Sequence, residues 1–291
     1  MHLQKMAFIM NTFPNSKGSF LTPLKKLVYL LSLFGLSNAA GANTFPTAPL
    51  HLQDETTTTT PAGVKPNIML YIDDSGSMYS SVAGTGTSRI GVVQRALNGV
   101  LLKYKDEANW GIETLYNYVR PNLTTNTTRG LPLSELQTWG LGINTATWCS
   151  QFGSRINWTN SKTITPKDDL RQNFTSDYQE IRKRVACLYG NGPATPVARR
   201  YGEITTGAMV HKDNLKNRCQ KSYVVLLSDG DPNGDSGTLN TRSWSVYNND
   251  QKTYGGDAWN VSWNDPKYPT QNIITYTVGF GSGLSSSGRS L

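Results

Sequence analysis

Two short and almost uninterrupted apolar runs, each ending in an acid, constrain this chain more than any other feature. One is Asn67-Ile68-Met69-Leu70-Tyr71-Ile72-Asp73 and the other is Val224-Val225-Leu226-Leu227-Ser228-Asp229. Runs of this length without polar alternation belong to strands buried on both faces, as in a parallel sheet covered by helices. From Ser88 onward, Ile90, Val93, Leu97, Leu101 and Tyr104 recur at steps of three and four, which predicts an amphipathic helix with Ser88 as its N-cap. A further strand fits Trp110 to Tyr116, helices fit 178–188 and 196–210 on either side of a Gly/Pro loop, and a last strand fits Ile273 to Phe280. Strands alternating with helices predict an α/β fold, a doubly wound and mostly parallel, Rossmann-like sheet whose ligands bind at the carboxyl ends of the strands.

The 291 residues suffice for one sizeable core with long excursions from it. Residues 1–42 read as a secretory signal peptide: Lys25-Lys26, a short apolar run from Leu27 to Leu36, and small residues with cleavage after Ala42. Residues 43–65, with Thr56 to Thr60 and Pro61, read as a tether. The folded part is then 66–291, with polar, tryptophan-bearing insertions at about 117–177 and 231–270. Their tryptophans are read as pins that fix the insertions to the sheet.

The net charge of +8 overstates the basicity of the body, because residues 1–42 carry four lysines and no acid and leave 24 basic against 20 acidic residues behind them. So dispersed an excess gives no footprint for nucleic acid. Cys149, Cys187 and Cys219 all fall in the exported part, where disulfides persist, and three cysteines allow one bridge and one thiol without identifying the pair.

Both strand-end acids fall in loops rich in hydroxyls. Asp73-Asp74-Ser75-Gly76-Ser77 brings a carboxylate and two hydroxyls onto one tight turn, and Asp74 is expected to face solvent beside them. The loop Gly190-Asn191-Gly192-Pro193-Ala194-Thr195-Pro196 adds a hydroxyl ahead of a helix, and Asp229 adds a second carboxylate. Asp73, Ser75, Ser77, Thr195 and Asp229 are hard oxygen donors, suited to Mg²⁺, Ca²⁺ or Mn²⁺ rather than zinc. Asp231, Asn233 and Asp235 continue the last loop in a spacing like the first half of an EF-hand, a candidate second calcium site that lacks the acid at its twelfth position.

These three loops resemble the metal-ion-dependent adhesion site of the von Willebrand factor A-type (vWA) family: a D-x-S-x-S turn, a G-x-x-T-P-like loop and the run Ser228-Asp229-Gly230. The resemblance implies a bound Mg²⁺, with Ser75 and Ser77 as direct ligands and Thr195, Asp73 and Asp229 binding directly or through water. The open coordination position would receive an acidic side chain of a protein ligand. Tyr71 to Met78, Leu226 to Asn233 and Tyr276 to Gly281 are further similar to the N-terminal region of the PilC/PilY-type proteins of type IV pili. That likeness implies a role in pilus assembly and in attachment to host cells or surfaces. Its implied partners are pilins or other pilus-tip proteins and a surface receptor. It also implies passage through the periplasm to the cell surface, outer membrane or pilus tip. Members of that family carry a large C-terminal domain, so the chain is expected to be a C-terminally truncated form, or a non-functional fragment, of such a protein.

The competing chemistry is a haloacid-dehalogenase-like, Mg²⁺-dependent phosphatase with Asp73 as nucleophile. Such enzymes place a second acid two residues on for proton transfer, where this chain has Ser75. His2, His51 and His211 lie outside every cluster, so no Ser/His/Asp triad is supported and no catalytic role is assigned.

Overall fold

The computed structural model describes residues 64–279, apart from 83, 117–118, 125–128, 153–171, 211–213, 231–235, 252–254, 259 and 266–270. The signal peptide, most of the tether and the Asp231/Asn233/Asp235 site lie outside the described residues.

The first apolar run forms β1 (Asn67–Ile72), and every residue of it is buried. A short ribbon follows, β2 (Ser81–Val82) against β3 (Thr87–Ser88), and leads into α1 (Arg89–Lys103). Ser88 caps that helix as expected, its Oγ accepting from the Gly91 amide at 3.3 Å. Then come β4 (Asn109–Thr114), the short helix α2 (Leu133–Gln137), β5 (Gln172–Thr175) and α3 (Tyr178–Ala186). After the Gly/Pro loop, α4 (Val197–Glu203) runs on into a widened turn over Ile204–Ala208. There the Thr205 hydroxyl donates to the Tyr201 carbonyl at 2.9 Å and the Thr206 hydroxyl to that of Gly202 at 2.7 Å, local bonds that loosen a helical ladder. The second apolar run forms β6 (Ser222–Ser228), wholly buried, followed by α5 (Ser236–Asn248) and β7 (Ile273–Gly279).

The sheet has the order β5-β4-β1-β6-β7. Four of its strands are parallel, and β5 is an antiparallel edge on β4. Alternate residues of β1 and β6 face opposite sides. Ile68, Leu70, Ile72, Val225 and Leu227 pack with Val93 and Leu97 of α1 and Ile181 and Val185 of α3. Met69, Tyr71, Val224 and Leu226 pack with Val197 and Tyr201 of α4 and Leu239 and Val246 of α5. Helices thus cover both faces, which is why the central strands show no polar alternation.

Two stretches that read as polar excursions contribute to this frame. The first supplies the edge strand β5 and buries Leu136, Trp139, Leu141 and Phe152 in the core on the α1 side. It is also tied to the end of α3 by the Cys149–Cys187 disulfide, with Cα atoms 5.6 Å apart, while Cys219 is a buried thiol. The second supplies α5, the crossover between the parallel strands β6 and β7. Trp139 is buried in the core against the sheet, as a pin would be. Trp263 is buried but outside both core clusters, and Trp244 is 56% exposed on α5; Trp158 and Trp259 lie outside the described residues.

Candidate metal centre

The chain runs from β1 through α1 to β4 on one side and later returns to place β6 on the other side of β1. Strand order therefore reverses between β1 and β6, and the crevice at such a reversal lies beyond the carboxyl ends of the two strands. Asp73 and Asp229 are the residues that follow those strands. The Asp73 amide donates to the Leu227 carbonyl at 2.8 Å, which fixes one strand end against the other.

From this edge a continuous set of hydrogen bonds runs. Asp73 Oδ1 accepts from the Ser75 amide at 2.8 Å, and its Oδ2 accepts from the Ser228 hydroxyl at 2.6 Å. The Ser75 and Ser77 hydroxyls lie 3.0 Å apart, and Ser77 Oγ donates to Asp229 Oδ1 at 2.8 Å. Asp73, Ser75 and Asp229 are buried, whereas Ser77 is exposed, so the cluster opens to solvent on the Ser77 side. Burial pushes the Asp73 carboxyl up to about 6, with the Asp229 charge adding to the rise and hydrogen bonds from Ser228 and Ser75 opposing it.

The loop after α3 docks on this turn through its backbone. The Gly76 amide donates to the Gly192 carbonyl at 2.7 Å, and the Asn191 and Gly192 amides both donate to the Asp74 carbonyl at 2.9 Å. The approach requires glycine at 192, because a Cβ there would stand 2.2 Å from the Tyr116 ring. Thr195 follows in the same loop, buried, and the Tyr71 hydroxyl holds the start of α4 just beyond it by donating to the Val197 carbonyl at 2.8 Å. Among the described residues no hydrogen bond links the Thr195 side chain to Asp73, Ser75, Ser77 or Asp229. Four of the five candidate ligands are thus joined directly, and Thr195 reaches them only through its loop.

Asp74 departs from expectation. It is fully buried, its carboxylate accepting from Thr114 Oγ1 at 2.8 Å and from the Tyr116 amide at 2.9 Å. The Asn191–Gly192 backbone folds over it and removes the solvent that an acid beside a strand end would otherwise face. Two basic residues also escaped the sequence reading. Arg89 pairs with Asp229 Oδ2 through its guanidinium. Arg129 bonds the Asn191 side chain and lies over the rings of Tyr79 and Tyr189, at 5.1 and 5.6 Å, bracing the loop against the turn after Ser75. The signal available for Arg89 was its place at the first position of α1, where the helix dipole disfavours a cation that has no acid to meet.

The donor set meets a simple geometric condition for a small divalent ion. Oxygens at about 2.1 Å from an octahedral ion are separated by about 3.0 Å along an edge. The Ser75–Ser77 and Ser77–Asp229 spacings of 3.0 and 2.8 Å are close to that edge. Two carboxylates and hydroxyls make up this set; among the described residues no group of three or more His, Cys, Asp or Glu side chains gathers as a metal site, here or elsewhere.

No protein-family model matches the chain, and no curated protein matches it. Among solved structures it is similar to the pilus adhesin SpaC from Lactobacillus rhamnosus GG, at 16% identity over 58% of this chain and 16% of that one, with a TM-score of 0.33. It is similar to a mutant of the PilB minor pilin from Streptococcus sanguinis, at 14% identity over 60% of this chain and 32% of that one, with a TM-score of 0.30. A third similar structure is the pilus adhesin RrgA from Streptococcus pneumoniae, at 15% identity over 58% of this chain and 21% of that one, with a TM-score of 0.30. The chain spans at most 32% of the length of these proteins.

Proposed function

We propose that this chain is an exported, non-enzymatic binding module that uses a divalent cation, built on a vWA-type domain and serving type IV pilus assembly or surface attachment. The observation that carries the reading is the oxygen chain Ser75–Ser77–Asp229 above Asp73, open at Ser77 and set at the reversal of strand order. Ser75, Ser77 and Asp229 would hold the ion, Mg²⁺ in the first instance, with Thr195 reaching it through water. Asp73 orients the Ser75 turn through its amide and clasps Ser228 of the neighbouring strand. When bound, such an ion supplies an open coordination position to an acidic side chain of a protein ligand. The partners would be pilins, other pilus-tip proteins or a surface receptor.

Export is supported by the Cys149–Cys187 bridge, which suits an oxidising compartment. Among the described residues no helix is long and apolar enough to cross a membrane. A holding role for Asp73 is favoured over a nucleophilic one, since its carboxylate is fully buried and both its oxygens already accept hydrogen bonds.

The test is thermal unfolding of the purified chain in chelator and then with Mg²⁺, Ca²⁺ or Mn²⁺, beside Asp229→Ala. Binding to the native state alone adds about 2.7 kcal/mol at a hundredfold excess over the dissociation constant. The wild type is expected to shift and Asp229→Ala to stay still; no shift with any cation would sink the reading. Deleting the gene and scoring piliation separately from adhesion of retraction-deficient cells then separates assembly from attachment.

A further inference from the structure

Arg89 stands where a cation is least favoured by its own helix and best matched by its neighbour. It is the first residue of α1, at the positive end of the helix dipole, and its side chain is only 18% exposed. Its guanidinium donates to Asp229 Oδ2, while Oδ1 of the same carboxylate accepts from Ser77. Asp229 is buried, and among the described residues Arg89 is its one ion-pair partner. The carboxylate that would bind a divalent ion therefore already carries a full positive charge of the protein's own.

We infer that Arg89 is a tethered competitor of the metal ion at Asp229 and the residue that sets which cations the site accepts. This rests on the metal-site reading above. Exchanging the guanidinium for a monovalent ion replaces one positive charge with another and forfeits a charge-assisted hydrogen bond. Exchange for a divalent ion adds a charge against Asp73 and Asp229, both buried within the same hydrogen-bonded cluster. The site thus stays closed to Na⁺ and K⁺ and opens only to a divalent ion concentrated enough to displace Arg89. Metal loading also frees a forked donor at the base of α1 next to the open side of the cluster.

The test is isothermal titration of the full chain with Mn²⁺ and Mg²⁺, comparing wild type, Arg89→Gln and Arg89→Lys. Removing a charge-assisted competitor tightens binding by about ten- to a hundredfold in Arg89→Gln. Arg89→Lys, which keeps the charge but loses the fork, falls between it and the wild type. Arg89→Lys also keeps the test decisive if the glutamine variant does not fold, because the lysine variant alone must still bind more tightly than wild type. Melting Arg89→Gln in Na⁺ or K⁺ against choline should reveal a monovalent stabilisation that the wild type lacks. If the wild type binds metal and both variants bind equally or more weakly, the inference is overturned and the metal site stands. If no form binds any divalent ion, both fall together. Binding by the variants but not by the wild type would support Arg89 as the block on Asp229 while overturning cation use by the native chain.

Discussion

In the metal-free protein, stability should fall as pH rises through the titration of Asp73. Its carboxyl is raised from the ordinary 3.8 to about 6 in the folded chain, chiefly because it is buried. A group raised in this way contributes stability that is fully present below its unfolded value and is lost as pH climbs through its folded value. The displacement, at about 1.4 kcal/mol for each pH unit, costs the metal-free fold about 3 kcal/mol at neutral pH, most of it incurred between about pH 4 and 7. For a domain of this size that corresponds to roughly 6–12 °C in melting temperature. Asp73→Asn isolates it, since the amide cannot ionise while its oxygen still accepts from the Ser75 amide and the Ser228 hydroxyl can turn to accept from its nitrogen. The assay is calorimetric or spectroscopic melting of metal-stripped wild type and Asp73→Asn at intervals from pH 4 to 7.5. The wild type should lose ground to the variant as pH rises, and saturating Mg²⁺ at pH 7 should cancel or reverse that loss by keeping the carboxylate compensated. A constant offset between the two proteins at every pH would refute the reasoning, because it would mean that burial does not penalise the ionised form.

Three further outcomes follow from particular contacts. Reducing the Cys149–Cys187 bridge, or replacing Cys149 with Ser, releases a crosslink between residues 38 apart and should lower stability by about 4 kcal/mol on the chain-entropy estimate, read as a drop in denaturation midpoint; an unchanged midpoint would show that the insertion is held by packing alone. Gly192→Ala drives a Cβ into the Tyr116 ring and should cost about 1–3 kcal/mol, and less in a Tyr116→Ala background; equal costs in the two backgrounds would remove the ring as the cause. Asp74→Asn sets an amide against the Thr114 hydroxyl and should cost about 1–3 kcal/mol in chelator while leaving the cation-induced shift intact; losing that shift would make Asp74 part of the metal set.

What could be read from the sequence was what local chemistry decides. The strands β1 and β6 show because burial on both faces leaves no room for polar alternation, and α1 shows because its apolar stripe begins at a capping serine. The helix α5 was hidden because its sequence is mostly polar, with Leu239 and Val246 as its core contacts, and it is a crossover between parallel strands that keeps it in place. The strand β5 was hidden because four residues at an antiparallel edge carry too little pattern to separate them from a loop. Asp74 and Asp73 are indistinguishable as neighbouring acids at a strand end. What separates them lies in the neighbours each meets, Thr114 and Tyr116 for the Asp74 carboxylate and Ser75 and Ser228 for that of Asp73. The disulfide pair could not be assigned because the proximity of Cys149 to Cys187 depends on where the insertion lies against α3.

Whether the two acids meet at all was the least local question, and strand order answers it. Neighbouring strands are about 4.8 Å apart. Had β6 been added outside β4, Asp73 and Asp229 would follow strands about 9.6 Å apart, too far for a serine on the first turn to bond the second carboxylate directly. With β6 on the open side of β1, Ser77 reaches Asp229 Oδ1 at 2.8 Å and Ser228 reaches Asp73 Oδ2 at 2.6 Å. These two crossed bonds bring segments more than 150 residues apart in sequence into one oxygen cluster. The motif residues therefore meet only because the sheet reverses its order between β1 and β6. A change that displaced β6 from β1 would part the two acids with every candidate ligand still present in the chain, and on the proposed reading the cation-induced shift would go with them.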